Sequence, residues 1–228
     1  MITFSQVSKI YQPKGKAPLA AVKDVTLWVE RGEFVVITGR SGSGKTTLLN
    51  LAAGLAQPSR GQVLFGGVDL FRLPDRELAG LRNRKMGFIF QFPSLLQSLS
   101  ALENVMLPVM FAGREERKTA RERAANLLEQ VGLADKLSSF PSQLSAGQQQ
   151  RVVVARSLVN QPQVLLADEP TSNLDEQSEQ EIIRLIQDLH IRSGVTVVLV
   201  THAGNLVTHG SRHLKMAGGE IASDIGSQ

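Results

Sequence analysis

Short apolar runs open the chain, and longer helical patterns follow them. Residues 2–7 and 22–29 contain the alternating apolar positions that are typical of half-buried strands, and residues 34–38 form a continuous apolar run. Further strand-like runs lie at residues 61–65, 86–90, 164–167 and 195–200. Because helical patterns separate several of these runs, the chain is predicted to contain buried parallel strands joined by helices.

Helical periodicity begins with residues 45–53 and dominates residues 102–159. Apolar residues recur at steps of three and four positions, as in an amphipathic helix that ends at a glycine. This stripe consists of Ala124, Leu127, Leu128 and Val131, followed by Gly132. A later helix carries Ile182, Ile183, Leu185, Ile186 and Leu189. The pattern predicts one α/β domain, residues 1–228, with a core formed by 1–90 and 161–228 and a helical subdomain at about 91–160.

Composition narrows the class of protein. A chain of 228 residues with 42% hydrophobic and 20% charged residues is typical of one globular domain. It contains no cysteine, which excludes disulfides and thiolate metal sites. The apolar runs are too short to cross a bilayer, and no signal peptide is recognisable. The net charge is +4, but acidic residues interrupt the basic run at 114–123, so no nucleic-acid partner is expected.

A glycine-rich segment between a predicted strand and a predicted helix matches the pattern G-x-x-x-x-G-K-S/T. Its residues are Gly39, Arg40, Ser41, Gly42, Ser43, Gly44, Lys45 and Thr46. Backbone N–H groups of such a loop point at phosphate oxygens, and the next helix presents its positive end to them. Lys45 is expected to reach the β- and γ-phosphates, Thr46 to coordinate Mg²⁺, and Thr47 to help hold phosphate. The segment predicts a site for ATP with Mg²⁺.

Two acids follow the apolar run at 164–167. Asp168 is expected at a strand tip, where metal and phosphate sites gather in α/β sheets, and is predicted to be a magnesium contact. Glu169 is placed to orient or deprotonate the water that attacks the γ-phosphate. An acidic pair after a strand is by itself typical of a loop or a helix cap, and the glycine-rich loop favours the catalytic interpretation.

The segment 144–151 has the sequence Leu-Ser-Ala-Gly-Gln-Gln-Gln-Arg and precedes a predicted helix. It closely resembles the signature sequence of ABC-transporter ATPases. The matching residues are Leu144, Ser145, Ala146, Gly147 and Gln148. The resemblance implies a homodimer in which the signature of one subunit closes over ATP bound to the phosphate loop of the other. Ser145 and the Gly147 amide, at a helix N-terminus, suit contact with a γ-phosphate.

Other elements of that family appear in order. Gln91 resembles the Q-loop glutamine, which implies a catalytic role and a magnesium contact, and His202 resembles the switch histidine that contacts the γ-phosphate. The D-loop is matched by Ser172, Asn173, Leu174 and Asp175. Tyr11 lies where the family places an aromatic residue that stacks on adenine.

The similarity extends from about residue 4 to residue 221. Residues 81–87, 88–92, 102–105 and 107–109 resemble the macrolide-export and lipoprotein-release branch. The resemblance implies a P-loop ATPase core of the ABC type with an N-terminal antiparallel β subdomain and an inserted helical subdomain. It also implies an ATPase that powers a separately encoded permease and works as a peripheral subunit on the cytoplasmic face of the membrane.

The chain departs from the family pattern at two places. Ala146 stands where the first of two glycines is usual, and its Cβ would cost roughly 1 kcal/mol or more if the backbone there needed a positive φ. Such a cost would affect turnover. Gly218 and Gly219 replace a common aspartate–glycine pair near the end of the chain, with no expected consequence for the chemistry.

Two alternatives belong to other functional classes. DNA-associated ATPases of the SMC type share these motifs but carry long coiled coils, whereas about a hundred residues without sustained heptads separate Lys45 from Ser145. A regulatory ATPase of cell division, which signals through a membrane protein, is compatible with the sequence. Co-purification with a permease favours transport, whereas association only with division-site proteins favours this regulatory role.

Overall fold

The computed structural model describes residues 1–15, 17–111, 119–202 and 210–226, so part of the basic run at 114–123 lies outside the described residues. The strands are β1 (Ile2–Tyr11), β2 (Leu19–Val29), β3 (Phe34–Thr38), β4 (Arg60–Phe65), β5 (Val68–Asp69), β6 (Met86–Ile89), β7 (Val164–Asp168), β8 (Thr196–Thr201), β9 (Arg212–Ala217) and β10 (Glu220–Gly226). The α-helices are α1 (Lys45–Ala52), α2 (Asp75–Lys85), α3 (Ala101–Met106), α4 (Ala120–Gln130), α5 (Ala146–Leu158) and α6 (Glu176–Ser193).

The chain divides into two compact units. The first contains residues 1–79 and 196–228, and the second contains residues 80–195. The predicted helical subdomain, residues 91–160, falls within the second unit.

An antiparallel sheet with the strand order β2-β1-β4-β5 forms one part of the first unit. In β1 the buried residues Ile2, Phe4 and Val7 are separated by more exposed ones, as the alternating pattern predicts. This strand continues beyond the predicted end at residue 7 as far as Tyr11, which pairs with Leu19 of β2. The extension carries the predicted adenine-stacking residue to the end of a strand.

Strand β3 lies between two of the remaining strands of the first unit. This strand pairs in parallel with β8 and β9, and β9 forms an antiparallel hairpin with β10. All five residues of β3 are buried, which explains its continuous apolar sequence. Side chains of β1, β2, β3, β8 and α1 line one interior cavity of only about 10 Å³, so both sheets and α1 contribute to a closely packed core.

The second unit combines a parallel strand pair with packed helices. Strand β6 pairs with β7 from Met86↔Val164 to Ile89↔Ala167. Helix α5 contacts α3, α4, α6 and β6, and it buries Val152, Val153 and Val154. Helix α4 follows the predicted amphipathic pattern, and the chain leaves it through Gly132, whose φ of +75° favours glycine.

No helix within the described parts of the chain is both long enough and apolar enough to cross a membrane.

Candidate nucleotide site

The glycine-rich segment of residues 39–46, here named the phosphate loop, connects β3 to α1, as the sequence predicts. Helix α1 begins at Lys45, and its N-cap residue Gly44 has a φ of +102°. Gly42 has a φ of +76°. A residue with a Cβ is strained in this left-handed region, so the loop needs glycine at both positions. The turn leaves the first backbone N–H groups of α1 without helical partners, which is the arrangement that binds anions.

Two polar side chains inside the loop suit an anionic ligand. Lys45 is only 6% exposed, and its Nζ donates hydrogen bonds to the backbone oxygens of Gly39 at 2.8 Å and Arg40 at 3.4 Å. The Ser43 hydroxyl is buried without a hydrogen-bond partner. A buried unpaired hydroxyl is costly, typically by about 1–3 kcal/mol. Phosphate oxygens would accept a hydrogen bond from the hydroxyl and would attract the lysine ammonium group, so the loop fits a phosphate group.

The remaining predicted residues of the first unit are accessible to a ligand. Thr46 is exposed and Thr47 half-buried on the first turn of α1. Tyr11 is 39% exposed, and the Nζ of Lys9 lies 5.0 Å from the centre of its ring. Cation–π attraction to Lys9 orients the tyrosine ring. His202 is exposed and directly follows β8.

The acidic pair ends β7 in the second unit. Asp168 is the last residue of the strand, and both carboxylates are half-buried. Glu169 has a φ of +49°, a value that residues other than glycine adopt only a few per cent of the time. Backbone strain of this kind, about 1–3 kcal/mol, is concentrated at functional sites. The strained backbone sets the direction in which the Glu169 side chain leaves the strand.

The predicted Q-loop and D-loop residues contact each other. Gln91 is exposed, and its backbone oxygen accepts a hydrogen bond from the Asn173 side chain at 3.2 Å. Asp175 is the N-cap of α6 and accepts hydrogen bonds from the backbone N–H and the hydroxyl of Ser178, which hold its pKa below the ordinary value. The Ser172 hydroxyl is buried without a partner, and Leu174 is half-buried.

The signature segment forms the start of α5. Ser145 is the N-cap: its hydroxyl accepts a hydrogen bond from the Gln148 N–H at 3.2 Å, and the Gln148 side chain accepts one from the Ser145 N–H at 3.0 Å. This reciprocal capping box leaves both residues on the surface side of the turn. Leu144 is buried, which anchors the segment, and the Cβ that a substitution at Gly147 would add lies 3.3 Å from the Ser178 hydroxyl.

The possible penalty at Ala146 does not arise. Ala146 is the first helical residue of α5 and is not among the residues with a positive φ. Alanine is more favourable than glycine in a helix by up to about 1 kcal/mol. The substitution therefore stabilises the N-terminus of α5 and does not strain it.

A contact near the end of the chain was missed by the sequence interpretation. Gly218 and Gly219 form the turn between β9 and β10. The Gly219 N–H donates a hydrogen bond to the backbone carbonyl oxygen of Ser43, in the phosphate loop, at 3.1 Å. The two adjacent glycines between strand-like sequences signal a hairpin, but they do not show what its turn contacts.

The predicted residues are distributed over both units. The first unit holds Tyr11, Gly39, Arg40, Ser41, Gly42, Ser43, Gly44, Lys45, Thr46, Thr47 and His202. The second holds Gln91, Leu144, Ser145, Ala146, Gly147, Gln148, Asp168, Glu169, Ser172, Asn173, Leu174 and Asp175. Within the described ranges, no group of three or more His, Cys, Asp or Glu residues is arranged to hold a metal ion. The predicted magnesium contacts thus comprise one hydroxyl, one amide and one carboxylate.

Comparison with known proteins identifies relatives that align with nearly all of the chain. The sequence profile described as ABC transporter matches residues 22–172. The lipoprotein-releasing system ATP-binding protein LolD of Geobacter metallireducens is 44% identical, over 92% of this chain and 93% of the relative. The macrolide export ATP-binding/permease protein MacB of Syntrophobacter fumaroxidans is 42% identical over all of this chain, which spans only 32% of that protein.

A solved structure extends the similarity to the fold. The dimeric, post-hydrolysis state of an ATP-binding cassette bound to ADP and phosphate superposes with a TM-score of 0.90 and is 40% identical. The alignment covers 100% of this chain and 99% of the cassette.

Proposed function

The chain belongs to the ABC transporter family, and from this premise we propose that it is the ATP-hydrolysing subunit of a lipoprotein-release or macrolide-export type system. In this role it powers a separate membrane permease. The phosphate loop carries the proposal: it combines left-handed glycines, a buried lysine and an unpaired buried serine hydroxyl at the start of a helix. These features suit the phosphates of a nucleotide.

In the proposed reaction each residue has a distinct task. Lys45 balances the negative charge on the β- and γ-phosphates, and Tyr11 stacks on the adenine. Glu169 orients a water molecule and accepts its proton as the water oxygen attacks the γ-phosphorus and the bond to the ADP oxygen breaks. His202 contacts the γ-phosphate. The strained backbone at Glu169 restricts the directions its carboxylate samples, which favours one position for the water.

Magnesium fits the donor set that these residues offer. The Thr46 hydroxyl, the Asp168 carboxylate and the Gln91 amide all present oxygen ligands, the type that Mg²⁺ prefers. We propose that they hold the ion together with the nucleotide and water. When bound, the ion neutralises developing charge on the phosphate oxygens.

The homodimer follows from the position of the signature. Ser145 and Gly147 lie at the N-terminus of α5, where backbone N–H groups are available to an anion. In the proposed dimer they contact the γ-phosphate of ATP that the partner subunit holds. Closure of the two subunits therefore completes both sites.

Coupling to the permease is proposed to use exposed apolar side chains of the second unit. Phe92, next to Gln91, is 63% exposed, and Met110 and Phe111 are 55% and 81% exposed. Apolar side chains with such exposure suit a contact with a partner. On this proposal the permease holds the chain at the cytoplasmic face of the membrane. Co-purification of a Phe111→Glu variant with the permease tests it, and undiminished co-purification would contradict it.

The experiment for the ATPase compares Glu169→Gln with the parent chain. Steady-state turnover is measured with magnesium and ATP, and the oligomeric state is measured by size-exclusion chromatography with light scattering. We expect turnover to fall by about 10²–10⁴-fold, the usual contribution of a general base, with ATP binding retained and an ATP-bound dimer accumulating. The control is Glu129→Gln, which changes an exposed glutamate of α4 and should leave turnover unchanged. Undiminished turnover in Glu169→Gln would show that the assignment of the base is wrong.

A further inference from the structure

The turn of the β9–β10 hairpin joins the phosphate loop to β2. The Gly219 N–H donates a hydrogen bond to the backbone carbonyl oxygen of Ser43 at 3.1 Å. The Gly219 carbonyl oxygen accepts a hydrogen bond from the Lys23 N–H at 2.8 Å. One residue of the hairpin thus bridges the loop that binds phosphate and the strand beside it. None of the roles proposed above involves this hairpin.

Close backbone packing surrounds the same contact. A Cβ added to Gly39 would collide with the Met216 oxygen of β9, and a Cβ added to Gly44 would collide with the Ala21 oxygen of β2. A Cβ added to Gly219 would lie 3.1 Å from the same Ala21 oxygen. Loop, hairpin and β2 therefore meet backbone to backbone, so a shift of one is transmitted to the others.

The far end of the hairpin is also fixed. The His213 Nε2 and the Thr38 hydroxyl lie 2.7 Å apart, and Thr38 is the last residue of β3 before the loop. Arg212 donates two hydrogen bonds to the Asp224 carboxylate and one to the Trp28 oxygen of β2. The hairpin is thus anchored to both strands that flank the phosphate loop in the first unit.

We propose that the β9–β10 hairpin is a positioning element for the phosphate loop, with Gly219 as its contact. In a trans peptide the C=O and the following N–H point in opposite directions. The Ser43 C=O and the Gly44 N–H belong to the same peptide group. Because the Ser43 carbonyl oxygen accepts a hydrogen bond from Gly219, the Gly44 N–H is directed away from the hairpin. The hairpin thereby fixes the Gly44 amide for the phosphate before ATP binds, which lowers the ordering cost of binding. The inference rests on the proposed ATP site.

The two glycines of the turn provide a matched pair of variants. Both have a positive φ, +57° for Gly218 and +90° for Gly219, but a Cβ on Gly218 meets nothing within 4 Å. Gly219→Ala should raise the KM for ATP by about tenfold with kcat changed less than twofold, because a displaced loop loses preorganisation for binding. Gly218→Ala also places alanine at a positive φ, within the left-handed region and without the tight contact, and should change KM by less than about twofold.

Thermal unfolding of each variant shows whether the variant folds. The His213→Ala variant provides a second test at the other end of the hairpin. That variant should raise the KM for ATP by about threefold because it frees the strand end that leads into the loop. Equal KM values for the parent and Gly219→Ala, or equal changes for the two glycine variants, would overturn the proposal. If Gly219→Ala does not fold, an unchanged KM in His213→Ala overturns it. Failure of the parent to bind ATP would instead remove the proposed function itself.

Discussion

The phosphate loop and the signature turn are both proposed to contact nucleotide, but different interactions stabilise their backbone conformations. The turn at Ser145 is closed by hydrogen bonds to Gln148, three residues away. The phosphate loop is in backbone contact with Gly219, Met216 and Ala21, which are distant in sequence. One site segment is therefore stabilised locally, and the other depends on the tertiary structure of the first unit.

This difference predicts how each segment responds to substitution. A local capping box loses little more than its own hydrogen bonds when one residue changes. Where backbone atoms of other segments enclose the phosphate loop, as at Gly39 and Gly44, there is no space for an added side chain, so the same small change displaces several strands. The following variants test this contrast in order of expected effect.

The largest effect is expected for Gly44→Ala. The added Cβ would collide with the Ala21 oxygen, and the φ of +102° is unfavourable for alanine. We expect the free energy of unfolding to fall by at least about 3 kcal/mol and ATP binding to be lost. Urea unfolding and nucleotide titration measure the two quantities.

The control for that variant lies in the same loop. Gly42 has a φ of +76°, and a Cβ there meets nothing within 4 Å. Gly42→Ala should therefore lower the free energy of unfolding by only about 1 kcal/mol, the cost of the left-handed backbone. Equal losses in the two variants would show that close packing around Gly44 is unimportant.

Asp224→Asn weakens the anchor of the hairpin. Arg212 is only 8% exposed, and its hydrogen bonds hold the pKa of Asp224 below the ordinary value of 3.8. We expect a loss of about 1–2 kcal/mol at neutral pH, less than for a fully buried pair because Asp224 is partly exposed. Since the folded state lowers this pKa, the stabilisation is fully present above about pH 3.8 and is lost as the pH falls through the folded value.

Urea unfolding at a series of pH values checks this prediction. The difference between Asp224→Asn and the parent should be constant near neutral pH and should narrow below about pH 3.8. Asp135→Asn is the control, because Asp135 is exposed and its ion pair joins it to Lys136, its neighbour in sequence. A difference that widens on acidification would contradict the assigned ion pair.

Ser145→Ala separates capping from function at the signature. Removal of an N-cap serine costs about 1 kcal/mol. Ser100 is a matched control, because it caps α3 through the same kind of capping box, with Glu103 as partner. Both alanine variants should lose similar stability in thermal unfolding, but only Ser145→Ala should lose ATPase activity. Equal ATPase activity in the two variants would contradict the proposed contact with nucleotide.

The smallest effect is expected for Ala146→Gly, which restores the residue that is usual in the family. Because Ala146 is helical, glycine there should lower the free energy of unfolding by up to about 0.5 kcal/mol at this terminal position, with turnover unchanged. Thermal unfolding measures the change in stability, and steady-state kinetics measures turnover. An increase in turnover would show that the alanine Cβ hinders closure over the nucleotide.

Much of the site was predictable from sequence because its motifs are local. The spacing from Gly39 to Lys45 predicted a loop between a strand and a helix, and Ser145 with Gln148 predicted a capped helix start. The apolar run before Asp168 correctly predicted a strand that ends at this residue. Each of these predictions depends on residues within one turn or one strand of each other.

The unpredicted features depend on contacts between distant segments. The φ of +49° at Glu169 and the hydrogen bond from Asn173 to Gln91 have no signature in their neighbouring residues. The end of β1 at Tyr11 depends on pairing with Leu19 of β2. The helical φ of Ala146 corrected an expectation that the family pattern alone had suggested.

The sequence by itself determined the class of fold and the local structure of residues 39–46 and 144–151, because apolar periodicity and local hydrogen-bonding patterns specify strands, helices and turns. Only the tertiary structure decided that a glycine at the end of the chain holds the loop near its beginning. The hydrogen bond from Gly219 to Ser43 joins a backbone N–H to a backbone C=O, groups that every residue except proline carries, so no side-chain pattern could reveal it.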